Sequence, residues 1–60
     1  MTPEEIKRIR MELKITQQQF ANLLKISRMQ YSQYENGSVS IPIERGAMAY
    51  SALNAYKVAK

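Results

Sequence analysis

The side chains of this sequence that are able to do chemistry are mostly amides, hydroxyls and charged groups. His, Cys and Asp are absent, so the strong metal ligands are five glutamates spread from Glu4 to Glu44. Zinc sites are built from clustered Cys and His, and His is the usual general base of enzymes. A chain of 60 residues can also hardly enclose a water-excluding pocket. The composition therefore predicts no enzyme, no metal site and no cofactor.

One group of polar side chains is suited to contacting DNA bases. In a helix with about 100° per residue, the face opposite Tyr31 and Tyr34 carries donors, acceptors and one thioether, and no carboxylate. Glutamine suits adenine, arginine suits guanine and methionine suits the thymine methyl. The alternative is an ordinary polar surface. Base contacts are predicted for Arg28, Met29 and Gln33, and also for Gln30, although a helix-cap role explains that glutamine more simply.

Other polar side chains are placed to contact DNA phosphates. Gln17 and Gln18 lie in the first turn of the second predicted helix, where free amide groups and the helix dipole favour an anion. The Gln17 side chain either adds a donor to that phosphate or braces a residue of the third helix. Phosphate contacts are predicted for Gln17, Gln18, Ser27, Ser32 and Asn36, of which Asn36 equally suits a helix terminator.

A repeated local pattern indicates the helices that must position these side chains. An apolar residue, a Ser or Thr, two further residues, a Glu or Gln and an apolar residue follow in that order from Met1, Ile15 and Ile26. Each copy is a capping box with a hydrophobic staple, which marks a helix start. Gly37 suits a helix end, because glycine adopts the left-handed conformation readily. The predicted helices are Pro3–Leu13, Gln17–Leu24, Arg28–Asn36 and a long helix from Pro42 to about Ala59, either continuous or broken near 51–54.

These elements predict an all-α fold, a compact four- to five-helix bundle with a long C-terminal helix. Ile6, Ile9 and Leu13 form the predicted buried stripe of the first helix. The second and third helices are so close in sequence that we expect a helix-turn-helix at about 16–36, whose second helix enters the DNA major groove. The chain, 1–60, is predicted to be one domain.

The net charge of the chain is +4. Such a charge indicates attraction to nucleic acid, or it simply keeps a small domain soluble.

The segment 15–37 resembles the Cro/repressor-type helix-turn-helix domains, also called the xenobiotic-response-element family. The shared features are Thr-Gln at the start of the second helix, Phe-Ala within it, Ile-Ser before the third helix, and Tyr-Glu-Asn-Gly at its end, followed by Pro42. The resemblance extends over about residues 3–53. It implies base contacts by Arg28, Met29 and Gln33, phosphate contact and bracing by Gln17, backbone contact by Asn36, and a structural ion pair between Arg10 and Glu35.

The sequence departs from the family pattern in three places. Lys25 occupies the position of the usual turn glycine, so the turn must tolerate a side chain under some strain. Tyr31 replaces the usual Ile or Val, so its ring pushes the helix outward or its hydroxyl reaches the surface. The loop 38–41 has no basic residue, whereas several relatives use Lys or Arg there to contact DNA.

The sequence therefore predicts a sequence-specific DNA-binding transcriptional regulator, a dimeric repressor of its own operon that binds an inverted repeat. The resemblance extends to short regulators of phages and mobile elements, including those encoded beside anti-CRISPR genes. The alternative is an antitoxin-like protein-interaction module. Antitoxins usually carry a flexible extension, and we expect none beyond about Lys57. No small-molecule effector is indicated.

Partners and location follow from the same residues. The C-terminal helix carries more large apolar side chains than one face is able to bury, which predicts a homodimer. The alternative is that the same residues close the thin core. No apolar run approaches the ~20 residues needed to cross a membrane, so we expect a cytoplasmic protein without a membrane partner. The dimer surface is predicted at Met48, Tyr50, Leu53 and Tyr56, together with Val58.

Overall fold

A computed structural model describes residues 1–59, which form four α-helices and no strand. The all-α prediction is confirmed, with four helices rather than five, because the last helix continues through 51–54 without a break. The predicted bounds of the first three helices are also confirmed, and the fourth begins directly after Pro42. The helices are α1 (Pro3–Leu13), α2 (Gln17–Leu24), α3 (Arg28–Asn36) and α4 (Ile43–Ala59).

The first three helices begin with the three predicted capping boxes. The hydroxyls of Thr2, Thr16 and Ser27 each accept from the backbone N–H three residues later, over 3.1 to 3.2 Å. The Glu or Gln at that third position accepts in return from the backbone N–H of the cap residue. Each box satisfies helix N–H groups that have no partner inside the helix, so the sequence itself fixes where the helix starts.

Helices α1 and α2 end in the same way, each with a lysine in the left-handed conformation. Lys14 has φ 58° and Lys25 has φ 60°. The next residue, Ile15 or Ile26, donates its backbone N–H to a carbonyl five residues earlier, as in a Schellman motif. The side chain that we expected the turn to tolerate at Lys25 is therefore accommodated at some backbone strain, and Lys14 repeats the arrangement.

Aromatic and aliphatic side chains from all four helices form one small core. Helix α1 packs against α3 and α4, and α2 packs against the same two helices. The Tyr31 ring lies edge-on to Phe20, with 5.3 Å between ring centroids. The predicted stripe of α1 is partly corrected, because Leu13 is only half-buried. The buried core residues are Ile6, Ile9, Phe20, Ala21, Leu24, Tyr31, Tyr34 and Ala49.

Within residues 1–59, no helix is long and apolar enough to cross a membrane. The same part of the chain has no cluster of three or more acidic, His or Cys side chains that is able to hold a metal ion.

Candidate nucleic-acid interface

The outer face of α3 presents side chains that are not engaged within the molecule. Arg28 and Met29 are exposed, Met29 to 74%, and Gln33 is half-buried. None of these three side chains forms a hydrogen bond with another residue of the described chain. Ser27 is the N-cap of α3, so Arg28 and Met29 are the first two residues of the helix and lie exposed in its first turn. This arrangement leaves their donors and apolar surface available to a ligand.

Gln30 and Ser27, which are predicted to contact a DNA base and a phosphate, also form the N-terminal cap of α3. The Gln30 side-chain oxygen accepts from the backbone N–H of Ser27 over 3.5 Å, and the Ser27 hydroxyl accepts from the backbone N–H of Gln30 over 3.2 Å. The cap role expected for Gln30 is therefore present. Its amide N–H groups and the Ser27 hydroxyl proton remain available to DNA, because the cap uses only the acceptor sides of both groups.

The remaining phosphate candidates are partly engaged by neighbouring residues. The Gln18 amide donates to the Asn22 side-chain oxygen over 3.0 Å. The Asn36 side-chain oxygen accepts from the backbone N–H of Ser38 over 2.9 Å, which is the local bond expected of a helix terminator. Ser32 is half-buried on α3. The amide groups of Gln18 and Asn36 each keep at least one donor free, because an amide nitrogen carries two protons.

A carboxylate at the end of α3 joins three helices. Glu35 accepts from Arg10 Nε of α1 at 2.7 Å, so the two side chains expected to form an ion pair are in contact. It also accepts from Gln17 Nε2, at the start of α2, over 3.1 Å, and from the Tyr31 hydroxyl over 2.5 Å. Arg10 Nη1 donates to the Ile15 carbonyl over 3.1 Å. The network fixes α3 to the first turn of α2 and to the last turn of α1.

The charges in this network perturb one another. Partial burial raises the pKa of Glu35, but hydrogen bonds from Arg10, Tyr31 and Gln17 outweigh burial and hold that pKa below its usual value. The hydrogen bond to Glu35 raises the pKa of Arg10. Burial, followed by the hydrogen bond to the carboxylate, raises the pKa of Tyr31. Glu35 is therefore ionised and Tyr31 is protonated at neutral pH.

The structure corrects the expectation for the Tyr31 hydroxyl. The whole residue is buried, and its hydroxyl turns inward to Glu35 instead of reaching the surface. Sequence reasoning did not place Tyr31 in this network, although a signal was present. Tyr31 and Glu35 are four residues apart on one helix, which is the spacing at which side chains meet.

The predicted dimer residues of α4 are partly used inside the chain. Met48 and Leu53 pack against the core, and Tyr56 is half-buried. The Tyr50 hydroxyl donates to Glu5 of α1 over 2.8 Å, and this bond lowers the pKa of Glu5 and raises that of Tyr50. Val58, near the end of α4, is 86% exposed. The apolar surface left free on α4 therefore includes Ile43 in the first turn, which is 90% exposed, the Tyr50 ring and Val58.

One comparison with known proteins gave a match. A family model described as helix-turn-helix matches residues 6–58, which include all of α2 and α3 and most of α1 and α4. The comparisons with curated proteins and with solved structures found no match.

Proposed function

Because the chain belongs to the Cro/repressor-type helix-turn-helix family of DNA-binding transcriptional regulators, we propose that it is a sequence-specific repressor that binds DNA as a homodimer. The outer face of α3 carries this proposal. It is uncharged except for Arg28, and the side chains of Arg28, Met29 and Gln33 form no hydrogen bond with another residue of the described chain. In this class of domain, the first residues of the second helix contact base edges in the major groove.

The residues of the interface divide into two groups. Arg28, Met29 and Gln33 contact bases, with Arg28 suited to guanine and Gln33 to adenine. The first turns of α2 and α3 approach phosphates through backbone amides and through the side chains of Gln17 and Ser27. Phosphate contacts give affinity without sequence choice, so the base preference comes from the few side chains on α3.

A second copy would supply the affinity that one small subunit lacks. Dimers of this class contact half-sites about 34 Å apart, one helical turn of DNA. The longest extent of the chain, 33 Å, is close to that spacing. We place the dimer surface on α4, at Tyr50, Tyr56 and the parts of Met48 and Leu53 that the core leaves exposed, together with the exposed Val58.

The proposal extends to autoregulation of a phage or mobile-element operon, including one that carries anti-CRISPR genes. This part rests on the resemblance to short regulators of that kind. It requires that the bound sequence occur upstream of the gene for this chain.

Selection from a random duplex library tests the function. The unmodified chain should enrich an inverted repeat, and binding should weaken as salt is raised. Arg28→Ala and Gln33→Ala should each lose about 1–3 kcal/mol of binding and relax one base position. Arg8→Ala is the matched control, since Arg8 is an exposed arginine of α1, and it should leave base preference unchanged. Enrichment of no sequence, or normal base preference in both α3 variants, contradicts the proposal.

A further inference from the structure

The two oxygens of the Glu35 carboxylate have separate partners. Oε2 accepts from Arg10 Nε at 2.7 Å and from the Tyr31 hydroxyl at 2.5 Å. Oε1 accepts from Gln17 Nε2 at 3.1 Å. Only Oε1 therefore holds the side chain at the start of α2, where a phosphate contact is proposed. The rotation of the carboxylate decides whether Gln17 is held.

Arg10 alone does not enforce this rotation. Arginine tends to bind both oxygens of a carboxylate with two parallel hydrogen bonds. In this structure Arg10 instead divides its donors, giving Nε to Glu35 and Nη1 to the Ile15 carbonyl. The Tyr31 hydroxyl supplies the second donor to Oε2. Without that hydroxyl, the guanidinium is free to take both carboxylate oxygens and to withdraw Oε1 from Gln17.

The core holds the Tyr31 hydroxyl at this position. The Tyr31 ring is fully buried and lies edge-on to Phe20 at 5.3 Å and to Tyr34 at 6.5 Å. The other acceptor within reach, the Ile6 carbonyl, is 3.5 Å away, so the single hydroxyl proton goes to the closer Glu35 oxygen. A well-packed ring has little freedom to move, and the donor is therefore preset.

We propose that Tyr31 is a positioning residue for DNA binding, whose hydroxyl orients the Glu35 carboxylate so that Gln17 is presented to a DNA phosphate. The Gln17 side-chain nitrogen carries two protons, of which one is bonded to Glu35 and the other is left for a phosphate oxygen. This inference rests on the proposed function, because it concerns an interaction with DNA.

The test compares two tyrosines of α3 that differ in what their hydroxyls do. Tyr34 is also buried and packs against Tyr31, but its hydroxyl makes no hydrogen bond within residues 1–59, so Tyr34→Phe is the matched control. The ligand is the duplex that the unmodified chain selects from a random library. Tyr31→Phe should weaken binding about threefold to tenfold, as expected for one lost hydrogen bond, and Tyr34→Phe less than about twofold.

A double-mutant cycle separates positioning from general destabilisation. In the Gln17→Ala background, Tyr31→Phe should change affinity less than about twofold, because Tyr31 acts through Gln17. Circular dichroism must show that each variant is folded at the temperature of the binding measurement. If Tyr31→Phe does not fold, Tyr31→Met, which also lacks the hydroxyl and fills the core, is measured in its place.

The outcomes distinguish this inference from the function on which it rests. If the unmodified chain selects no sequence, the proposed function fails, and the inference fails with it. If the unmodified chain selects a sequence and the hydroxyl-free variant binds it equally well, the inference alone is wrong. The inference is also wrong if the loss of affinity is undiminished in the Gln17→Ala background.

Discussion

Replacement of Glu35 by alanine removes the shared acceptor of three helices. Arg10, Gln17 and Tyr31 each lose the oxygen to which they donate. The free-energy cost of losing this acceptor differs among the three side chains, because they are buried to different extents. Gln17 is half-buried and able to turn toward water, and Arg10 keeps its bond to the Ile15 carbonyl. The Tyr31 hydroxyl is buried, and its alternative acceptor, the Ile6 carbonyl, lies 3.5 Å away.

These differences set the expected loss of stability. A buried donor left without an acceptor costs about 1–3 kcal/mol, and removal of one partner of a buried ion pair costs about 3–5 kcal/mol. Since the Glu35 side chain is 9% exposed and that of Arg10 is 18% exposed, solvent offsets part of this cost. We expect Glu35→Ala to lower the free energy of unfolding by about 2–4 kcal/mol. A domain of this size has about 3–9 kcal/mol in all, so the variant is near the limit of folding.

Urea unfolding followed by circular dichroism measures this loss. The midpoint of thermal unfolding should fall by roughly 10–30 °C. Glu12→Ala is the matched control, because Glu12 is an exposed glutamate of α1 without a hydrogen bond or ion pair in the described chain. It should change the free energy of unfolding by less than about 0.5 kcal/mol. If Glu35→Ala loses no more than this control, the account of the network is wrong.

Three further predictions concern stability. Lys25→Gly should raise the free energy of unfolding by about 0.5–1 kcal/mol in urea titrations, because glycine adopts φ 60° without strain, whereas Lys25→Ala should give no such gain. Gly46→Ala in α4 should stabilise by about 0.5–1 kcal/mol, since the new Cβ lies 3.7 Å from Met1 in ordinary contact; a loss would show that this site is tighter than the distance suggests. The folded pKa of Glu35 lies below the unfolded value of about 4.3, so its contribution is complete above that pH and is lost as pH falls through the folded pKa. Urea titrations between pH 7 and 2 should show this loss, and Glu35→Gln should lack it.

The helix bounds were predictable because their signals are local. Each capping box lies within four consecutive residues, and the hydrogen bonds it predicts form wherever the helix starts. The end of α3 at Gly37 follows from a single residue type. The contact between Arg10 and Glu35 joins residues 25 positions apart, and only the resemblance to a known family indicated it.

Other features depend on packing that no local pattern contains. The inward direction of the Tyr31 hydroxyl depends on Phe20 and on the helix that carries Arg10. The conformation of Lys14 was not anticipated, because the glycine expected of such a turn is absent there too. Periodicity also selects no single face of α4. Ala49 is buried, while Ile43 and Val58 are 90% and 86% exposed, so apolar residues lie on several sides of that helix.

The two turns at Lys14 and Lys25, which join α1 to α2 and α2 to α3, have a consequence for how fast the chain folds. Each turn is closed by hydrogen bonds between residues at most five positions apart. These are the Schellman bond at the end of one helix and the capping box at the start of the next. Little chain entropy is lost in closing such short loops, so the borders of α1, α2 and α3 can form before distant segments meet. Proteins with mostly local contacts fold within microseconds to milliseconds. We therefore expect this chain to refold within microseconds to milliseconds. The strained conformations of Lys14 and Lys25 slow refolding only if the turns that contain them are already formed in the transition state.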